Sequence, residues 1–161
     1  MSYTAIAKLF EDSDIFNTIG GNKIHANTTP EFWTAVRNQV ARINEEVHET
    51  SGASVVEDKV ELLDGLVDVL VTTAGLARLL KGAGFDIDSA CAAVAKNNLD
   101  KFFTDPSEAM LHEQMYVKLG QQVTVQQVIQ DGVPYYVLKR ASDNKIMKPF
   151  NHPKVELKDF V

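Results

Sequence analysis

The chain has 161 residues, a net charge of −6 and 45% hydrophobic residues, a balance that is typical of a globular protein and argues against global disorder. The negative charge argues against a general binder of nucleic-acid polymers, which would need a basic patch, and against binding to anionic membrane surfaces. The single cysteine, Cys91, excludes an intramolecular disulfide and a cysteine metal cluster.

No apolar run reaches the length of about 18 residues that a transmembrane helix needs, and no signal-peptide pattern opens the sequence. We therefore expect no membrane partner and a cytoplasmic location, in a bacterium or, for a phage-encoded chain, in the cytoplasm of its host.

Apolar residues recur at helical spacing through the first three quarters of the chain, which predicts a mainly α fold of about four to five helices. Thr29-Pro30-Glu31 is a helix start, with Thr as the N-cap and Pro at the first helical position. Ser51-Gly52-Ala53-Ser54 is expected to end the same helix. The predicted helices cover residues 3–19, 30–51, 55–81, 86 or 88 to 103, and 105–118.

After Gly120 the pattern changes to short runs of β-branched and aromatic residues separated by turns. The turns are expected at Asp131-Gly132 and Asp143-Asn144. This pattern predicts a small C-terminal β-meander of about three strands. We expect an all-α catalytic domain over residues 1–120 and a β-hairpin or meander appendage with the tail over residues 121–161.

The second and third predicted helices carry carboxylates at helical spacing. Residues three or four positions apart share a helix face, so Glu46 and Glu49 point the same way, whereas Glu45 points nearly opposite the core. At about 100° per residue, the acids of the third helix fall in a sector of roughly 60°. These acids are Glu57, Glu61, Asp64 and Asp68.

The remaining positions of the third helix are almost all apolar, so we expect that helix to be buried. A row of carboxylates on a buried helix is costly unless cations neutralise it, and few Lys or Arg residues lie nearby in sequence. Hard divalent cations such as Mg²⁺ take carboxylate and water oxygens as ligands. The pattern therefore favours a metal site over its alternative, a solvated acidic face.

Three further features carry weaker signals. Gly65 and Gly75 inside the third helix each cost about 1 kcal/mol relative to Ala, which indicates a close helix approach or room for a ligand. Trp33 is expected to anchor the core. Two adjacent Asn residues, Asn97 and Asn98, are poor helix formers, so either a side-chain role or a fraying helix end explains them.

Glu46-x-x-Glu49, followed by a carboxylate-bearing helix ending in Asp68-Val69-Leu70, resembles the MazG-like nucleotide pyrophosphohydrolases. This all-α superfamily includes phosphoribosyl-ATP pyrophosphatases and dimeric dUTPases. The resemblance spans most of the chain, and its tail segment is similar to phosphoribosyl-ATP pyrophosphatase-like members, many of them from phages or bacteria. The further matching segments are Phe16–Gly20, Gly75, Asn98-Leu99-Asp100-Lys101 and Ser142–Pro149.

The resemblance implies that Glu46, Glu49 and Asp68 hold two or more Mg²⁺ or Mn²⁺ ions. Where the family has a Glu three residues before that Asp, this chain has Gly65. Asp64, one residue earlier, is the expected replacement, and Glu61 is the other candidate.

The resemblance also implies contacts to the substrate. Asn98 and Lys101 are expected at the sugar or the phosphates, with Lys101 stabilising phosphate charge. Gln39, on the same helix edge as Glu46, is a further candidate contact, and Glu45 or Glu46 would take the proton from the attacking water. The family further implies a MazG-like helical bundle that forms a homodimer or homotetramer.

Together with the acidic residues, the resemblance implies a metal-dependent enzyme that cleaves a nucleoside or deoxynucleoside triphosphate to the monophosphate and pyrophosphate, with dGTP and dUTP as candidate substrates. Phosphoribosyl-ATP pyrophosphohydrolysis is the alternative reaction, with the same chemistry and metals. A non-catalytic helical module that binds metal and regulates a partner is the alternative from another class.

Overall fold

The computed structural model describes residues 3–161. Within that range the chain forms five helices and one small antiparallel sheet of two strands, which confirms the mainly α fold. The elements are α1 (Thr4–Ile19), α2 (Pro30–Val55), α3 (Lys59–Gly82), α4 (Ile87–Leu99), α5 (Pro106–Lys118), β1 (Val123–Gln130), β2 (Val133–Arg140) and a 3₁₀ turn (Leu157–Phe160). None of the helices in residues 3–161 is long and apolar enough to cross a membrane.

Spatial proximity groups the described chain into two compact units, 3–87 with 160–161, and 88–159. The first unit contains α1, α2 and α3, and the second contains α5 and the hairpin together with nearly all of α4. The predicted division into a catalytic domain before residue 120 and an appendage after it stays a prediction.

The start of α2 follows the sequence prediction, but its end does not. The Thr29 hydroxyl accepts a hydrogen bond from the Phe32 amide at 3.3 Å, and Pro30 occupies the first helical position. The helix then continues through the expected break to Val55. Buried Ala53 anchors this last turn, so the packing of one small side chain overrides the weak helix propensity of its neighbours.

The chain turns instead at Glu57, whose backbone is in the left-handed region with φ of 58°. Asp58 then caps α3 by accepting hydrogen bonds from the Val60 and Glu61 amides at 2.9 and 3.1 Å. The predicted helix start at residue 55 is therefore wrong. Glu57 lies outside α3 and does not belong to its row of acids.

Glycines set the distance between α2 and α3. A Cβ added to Gly65 would overlap the Thr50 hydroxyl and lie 3.2 Å from the Thr50 Cα. A Cβ added to Gly75 would lie 2.7 Å from the Gln39 Nε2. These pairs run in opposite chain directions, so α2 and α3 are antiparallel. The predicted close helix approach is confirmed at Gly65, whereas at Gly75 the space is taken by the Gln39 side chain.

The apolar side of α3 is not buried within the single chain, contrary to the sequence prediction. Val60, Leu63 and Leu66 expose 74%, 63% and 52% of their surfaces. Trp33 is also half-exposed, at 52%, rather than a core anchor, because Phe32 takes the interior position beside it. Buried apolar residues of the first unit are Phe32, Ala53, Ala74 and Leu79.

In the second unit, α4 ends at Leu99, four residues before the predicted end. The chain leaves the helix so that Phe103 can pair with Tyr136 of β2, with mutual backbone hydrogen bonds of 3.0 and 2.7 Å. Asp105 then caps α5 by accepting from the Ser107 amide at 2.8 Å. The bounds of α5 are close to the predicted range of 105–118.

β1 and β2 form an antiparallel hairpin whose ends pair Val123 with Arg140 and Gln130 with Val133. The predicted turn at Asp131-Gly132 is confirmed, with φ of 51° and 79°. In place of a third strand, the structure has an isolated bridge between Lys139 and Ile146. The core of this unit consists of Phe103, Ala109, Val123 and Leu138.

Candidate functional site

The predicted metal ligands lie on the facing edges of α2 and α3. Glu46 of α2 and Asp68 of α3 are half-buried, whereas Glu45, Glu49, Asp64 and Glu61 are exposed. Thr50, one turn after Glu46, fits against Gly65, which lies between Asp64 and Asp68 in sequence. The close approach at that level holds the two carboxylate-bearing edges beside each other.

The electrostatics of Glu46 show which acids are its neighbours. Partial burial raises its pKa above the usual range, and four surrounding negative charges raise it further. In order of effect these charges belong to Asp68, Glu49, Glu45 and Asp64. The acids of two helices thus act together at Glu46. Glu61, one helical turn before Asp64, is not among the groups that act on Glu46.

Carboxylate oxygens are hard donors that suit Mg²⁺ or Mn²⁺. The mutual repulsion at Glu46 is the physical sign of a fit, because a cation among these groups would relieve it. Within residues 3–161, however, no group of three or more His, Cys, Asp or Glu side chains is arranged closely enough to hold a metal ion. The acids are neighbours whose side chains do not converge on one point.

Gln39 lies two helical turns before Glu46 on α2. Its amide Nε2 donates to the Thr72 carbonyl at 2.7 Å, and the absence of a side chain at Gly75 makes room for it. The hydrogen bond fixes the orientation of the amide and leaves the Gln39 Oε1 as an acceptor. Gln39 therefore belongs to the same α2–α3 edge as the carboxylates.

Gln39 also lines a pocket of about 190 Å³ in the first unit, formed by α1, the α1–α2 connection, α2 and α3. The charged and polar side chains around it belong to Asn17, Asn22, Lys23, His25, Asn38, Gln39, Arg42 and Arg78. No Asp or Glu lines this pocket, which we call the basic pocket. It follows that the α2–α3 edge changes sign along its length, from acidic near Glu46 to basic near Gln39.

Arg78 is the fixed cation of the basic pocket. Its Nε donates to the Asp14 carboxylate at 2.7 Å, and one of its terminal nitrogens donates to the Thr18 hydroxyl at 3.3 Å. Its side chain is only 11% exposed. Arg42 and Lys23, by contrast, are exposed.

Asn98 and Lys101 belong to the second unit, at the end of α4 and just beyond it. The Lys101 ammonium donates to the Asn98 side-chain oxygen at 2.5 Å, and both residues line an open, mostly apolar pocket. Asn97 instead donates to the Pro153 carbonyl at 3.0 Å and so ties the C-terminal tail to α4. The two adjacent Asn residues therefore have side-chain contacts, and the substrate role of Asn98 and Lys101 stays a prediction.

Most residues of the basic pocket are not indicated by the sequence pattern. Arg42 carried a usable signal, since it follows Gln39 by three residues and precedes Glu46 by four on one helix edge. His25, in the connection between α1 and α2, is half-buried and lines the pocket. The sequence pattern does not indicate Lys23 or Arg78, because the course of the α1–α2 connection places Lys23 at the pocket and the packing of α3 on α2 places Arg78 there.

Comparison with known protein families supplies an independent observation. A sequence model of the family described as phosphoribosyl-ATP pyrophosphohydrolase matches residues 18–98, half of the chain. The matched range contains Gln39, Asn98 and every carboxylate of the candidate site, and it ends before Lys101. No curated protein and no solved structure matches the chain significantly.

Proposed function

Because the chain belongs to the phosphoribosyl-ATP pyrophosphohydrolase family, within the MazG-like nucleotide pyrophosphohydrolase superfamily, we propose that it hydrolyses a nucleoside triphosphate to the monophosphate and pyrophosphate. Family membership supports a pyrophosphohydrolase as the reaction class. The observation that carries the proposal is the gathering of four carboxylates around Glu46, on two antiparallel helices inside the matched range.

In the proposed site, Glu46, Glu49, Asp64 and Asp68 would hold two or more Mg²⁺ or Mn²⁺ ions. We favour Asp64 over Glu61 because its charge acts on Glu46. The bound ions would offset the charge of the triphosphate and lower the pKa of a coordinated water.

The chain's own groups then complete the reaction. Glu45 or Glu46 takes a proton from the attacking water. The water oxygen bonds to the α- or β-phosphorus as the P–O bond of the bridge between them breaks, which releases the monophosphate and pyrophosphate. Lys101 donates to the phosphate oxygens and stabilises their charge, while Asn98 and Gln39 orient the nucleotide.

The exposed apolar residues of the first unit support a homodimer or homotetramer. They include Phe16 and Ile19 of α1, which are 72% and 82% exposed, and Leu63 of α3, which is 63% exposed. Apolar patches of this kind on a folded chain typically mark an interface. We propose that a second copy of the chain covers them.

Two substrate classes are proposed. Deoxynucleoside triphosphates, with dGTP and dUTP as candidates, need only the triphosphate contacts described above. Phosphoribosyl-ATP is the second candidate, because it is the substrate in the description of the matched family. The location we propose is the cytoplasm of a bacterium or, for a phage gene, of its host.

Pyrophosphate release is the test. The purified protein is assayed with a panel of dNTPs, NTPs and phosphoribosyl-ATP, with Mg²⁺ or Mn²⁺ and with EDTA. We expect metal-dependent release from one or a few of these nucleotides. Absence of release from all of them, while the protein still binds metal, would favour the regulatory metal-binding module instead.

A further inference from the structure

We propose that the basic pocket is a phosphate-binding site, separate from the carboxylates around Glu46, that binds a phosphate monoester. The pocket presents four polar side chains that can bind such a ligand, those of Lys23, His25, Asn38 and Arg42. The ligand has two sources with the same chemistry: a second phosphorylated end of the substrate, or a free phosphorylated metabolite. If the phosphate belongs to the substrate, the inference rests on the proposed function.

Positive charge is concentrated at the basic pocket. Lys23, Arg42 and Arg78 meet at this pocket without a lining carboxylate, although the whole chain carries a net charge of −6. Within the described part of the chain, Arg78 alone of these three cations has a counter-ion, Asp14. A concentration of positive charge in an acidic protein attracts an anion.

The basic pocket also contains hydrogen-bond donors that no group of the described chain uses. Among residues 3–161, the side chains of Lys23, His25, Asn38 and Arg42 find no hydrogen-bond or ion-pair partner. Guanidinium and ammonium groups are the preferred donors to phosphate oxygens, and their charge-assisted hydrogen bonds are the strong ones. The pocket therefore presents donors that no protein group uses.

The lining also argues against a nucleobase as the occupant. No Phe, Tyr or Trp lines the pocket, and its apolar lining consists of Ala35, Gly75 and Leu79. Bases bound by proteins gain much of their binding free energy by stacking on aromatic rings. A phosphate needs no such surface, and the volume of about 190 Å³ is open to it.

The position along α2 links the pocket to the proposed reaction. With a rise of 1.5 Å per residue, Arg42 is about 6 Å and Gln39 about 10 Å along the helix axis from Glu46. The basic pocket and the carboxylates therefore lie on one helix edge, and the pocket extends away from Glu46 past Gln39, so one extended nucleotide can contact both.

Binding without metal tests the site. Ribose 5-phosphate, and ribose as the probe without phosphate, are titrated into the full chain in EDTA by calorimetry. We expect saturable binding of ribose 5-phosphate only, weakened about tenfold or more in Arg42→Gln and in Lys23→Gln. Arg37→Gln is the matched control, since Arg37 is an exposed arginine of α2 that does not line the pocket. Absence of binding, or equal binding by all variants, overturns the proposal.

Turnover separates the two sources. If the phosphate belongs to the substrate, kcat/KM is higher for phosphoribosyl-ATP than for ATP, and Arg42→Gln removes the advantage through KM. If it belongs to a free metabolite, the two nucleotides react alike and ribose 5-phosphate changes turnover without competing. Either result supports the site.

Other results contradict the proposal. If Arg42→Gln alters only the preference among bases, the pocket binds the nucleobase; if it lowers turnover of every triphosphate equally, Arg42 contacts the triphosphate. In both cases pyrophosphate release continues in the wild type, so the proposed function stands. Failure of the proposed function is instead an absence of release from every nucleotide, and the titration in EDTA still tests the pocket.

Discussion

Two carboxyl groups of this protein, those of Glu46 and Asp143, have opposite electrostatic surroundings. Glu46 lies among other acids, and its pKa is raised by partial burial and by their charges. Asp143 lies beside a cation, and its pKa is lowered to about 2. Each environment has a measurable consequence, one in the first unit and one in the second.

For Glu46 we predict that Glu46→Gln raises the thermal midpoint in EDTA at pH 7.5, although it abolishes turnover. A carboxyl whose pKa is higher in the folded than in the unfolded chain binds its proton more tightly when folded. Ionised Glu46 therefore costs stability at neutral pH, and the cost disappears as the pH falls below the unfolded value. Melting curves at pH 7.5 and at pH 4 measure this difference. A lower midpoint for the variant at pH 7.5 would contradict the proposed repulsion.

For metal binding we predict that Glu49→Gln lowers kcat/KM more than about 100-fold with saturating Mg²⁺, since even groups that only support a metal ligand are worth 10- to 100-fold. Glu31→Gln is the control, because Glu31 is an exposed acid in the first turn of the same helix. Pyrophosphate release is the measurement. Wild-type turnover by Glu49→Gln in excess metal would show that Glu49 is not a ligand.

In the second unit, we predict that Arg140→Gln raises the pKa of Asp143 from about 2 toward its ordinary value of 3.8. The Arg140 side chain donates to the Asp143 carboxylate at 2.9 and 2.6 Å. The remaining hydrogen bond from the Lys145 amide, at 3.2 Å, keeps the recovery incomplete. The stability from this pair is present above pH 3.8 and is lost as the pH falls through about 2. Carbon NMR titration of the carboxyl gives both values.

At the scale of the elements, the packing of α2 on α3 depends on positions without a side chain. Gly65 is buried against Thr50, whereas a Cβ added at Gly52 of α2 would meet nothing within 4 Å. Two glycines of similar helical conformation therefore differ only in what surrounds them, and the same substitution at each separates packing from helix propensity.

We predict that Gly65→Ala destabilises the protein by about 1–3 kcal/mol, because the overlap with Thr50 outweighs the gain in helix propensity. Gly52→Ala, the matched control, is expected to stabilise it by about 0.5–1 kcal/mol. Denaturant unfolding measures both. Adding Thr50→Ala to Gly65→Ala should recover part of the loss. A stabilised Gly65→Ala variant would contradict the close approach of α2 and α3.

At the scale of the whole molecule, the first unit exposes many apolar side chains that its own core does not bury. The exposed apolar side of α3 is the main evidence. Such a helix is stable in water when another surface covers it. This is why we propose that the assembled form contains more than one copy.

We predict that Leu63→Lys shifts the protein from the assembled form to the monomer, since a charge placed in an apolar interface loses its hydration. Leu63 is 63% exposed in the single chain. The control is Ile129→Lys in the hairpin, where Ile129 is 67% exposed. Light scattering after size-exclusion chromatography gives the mass of each variant. A wild-type monomer, or an unchanged assembly in Leu63→Lys, would contradict the proposal.

The sequence by itself determined the features that depend on local chemistry. The cap at Thr29 and the turn at Asp131-Gly132 follow from side-chain hydrogen bonds and backbone preference, and the structure confirms them. The row of acids and the resemblance that named the family could likewise be read directly, because helical spacing fixes which side chains share a face.

Only the tertiary structure decided the rest. The continuation of α2 to Val55 accompanies the burial of Ala53. The early end of α4 accompanies the pairing of Phe103 with Tyr136, a residue far along the chain. The basic pocket joins Lys23, Arg42 and Arg78 from three separate segments. No spacing rule connects such positions, because the packing of the helices alone decides that they meet.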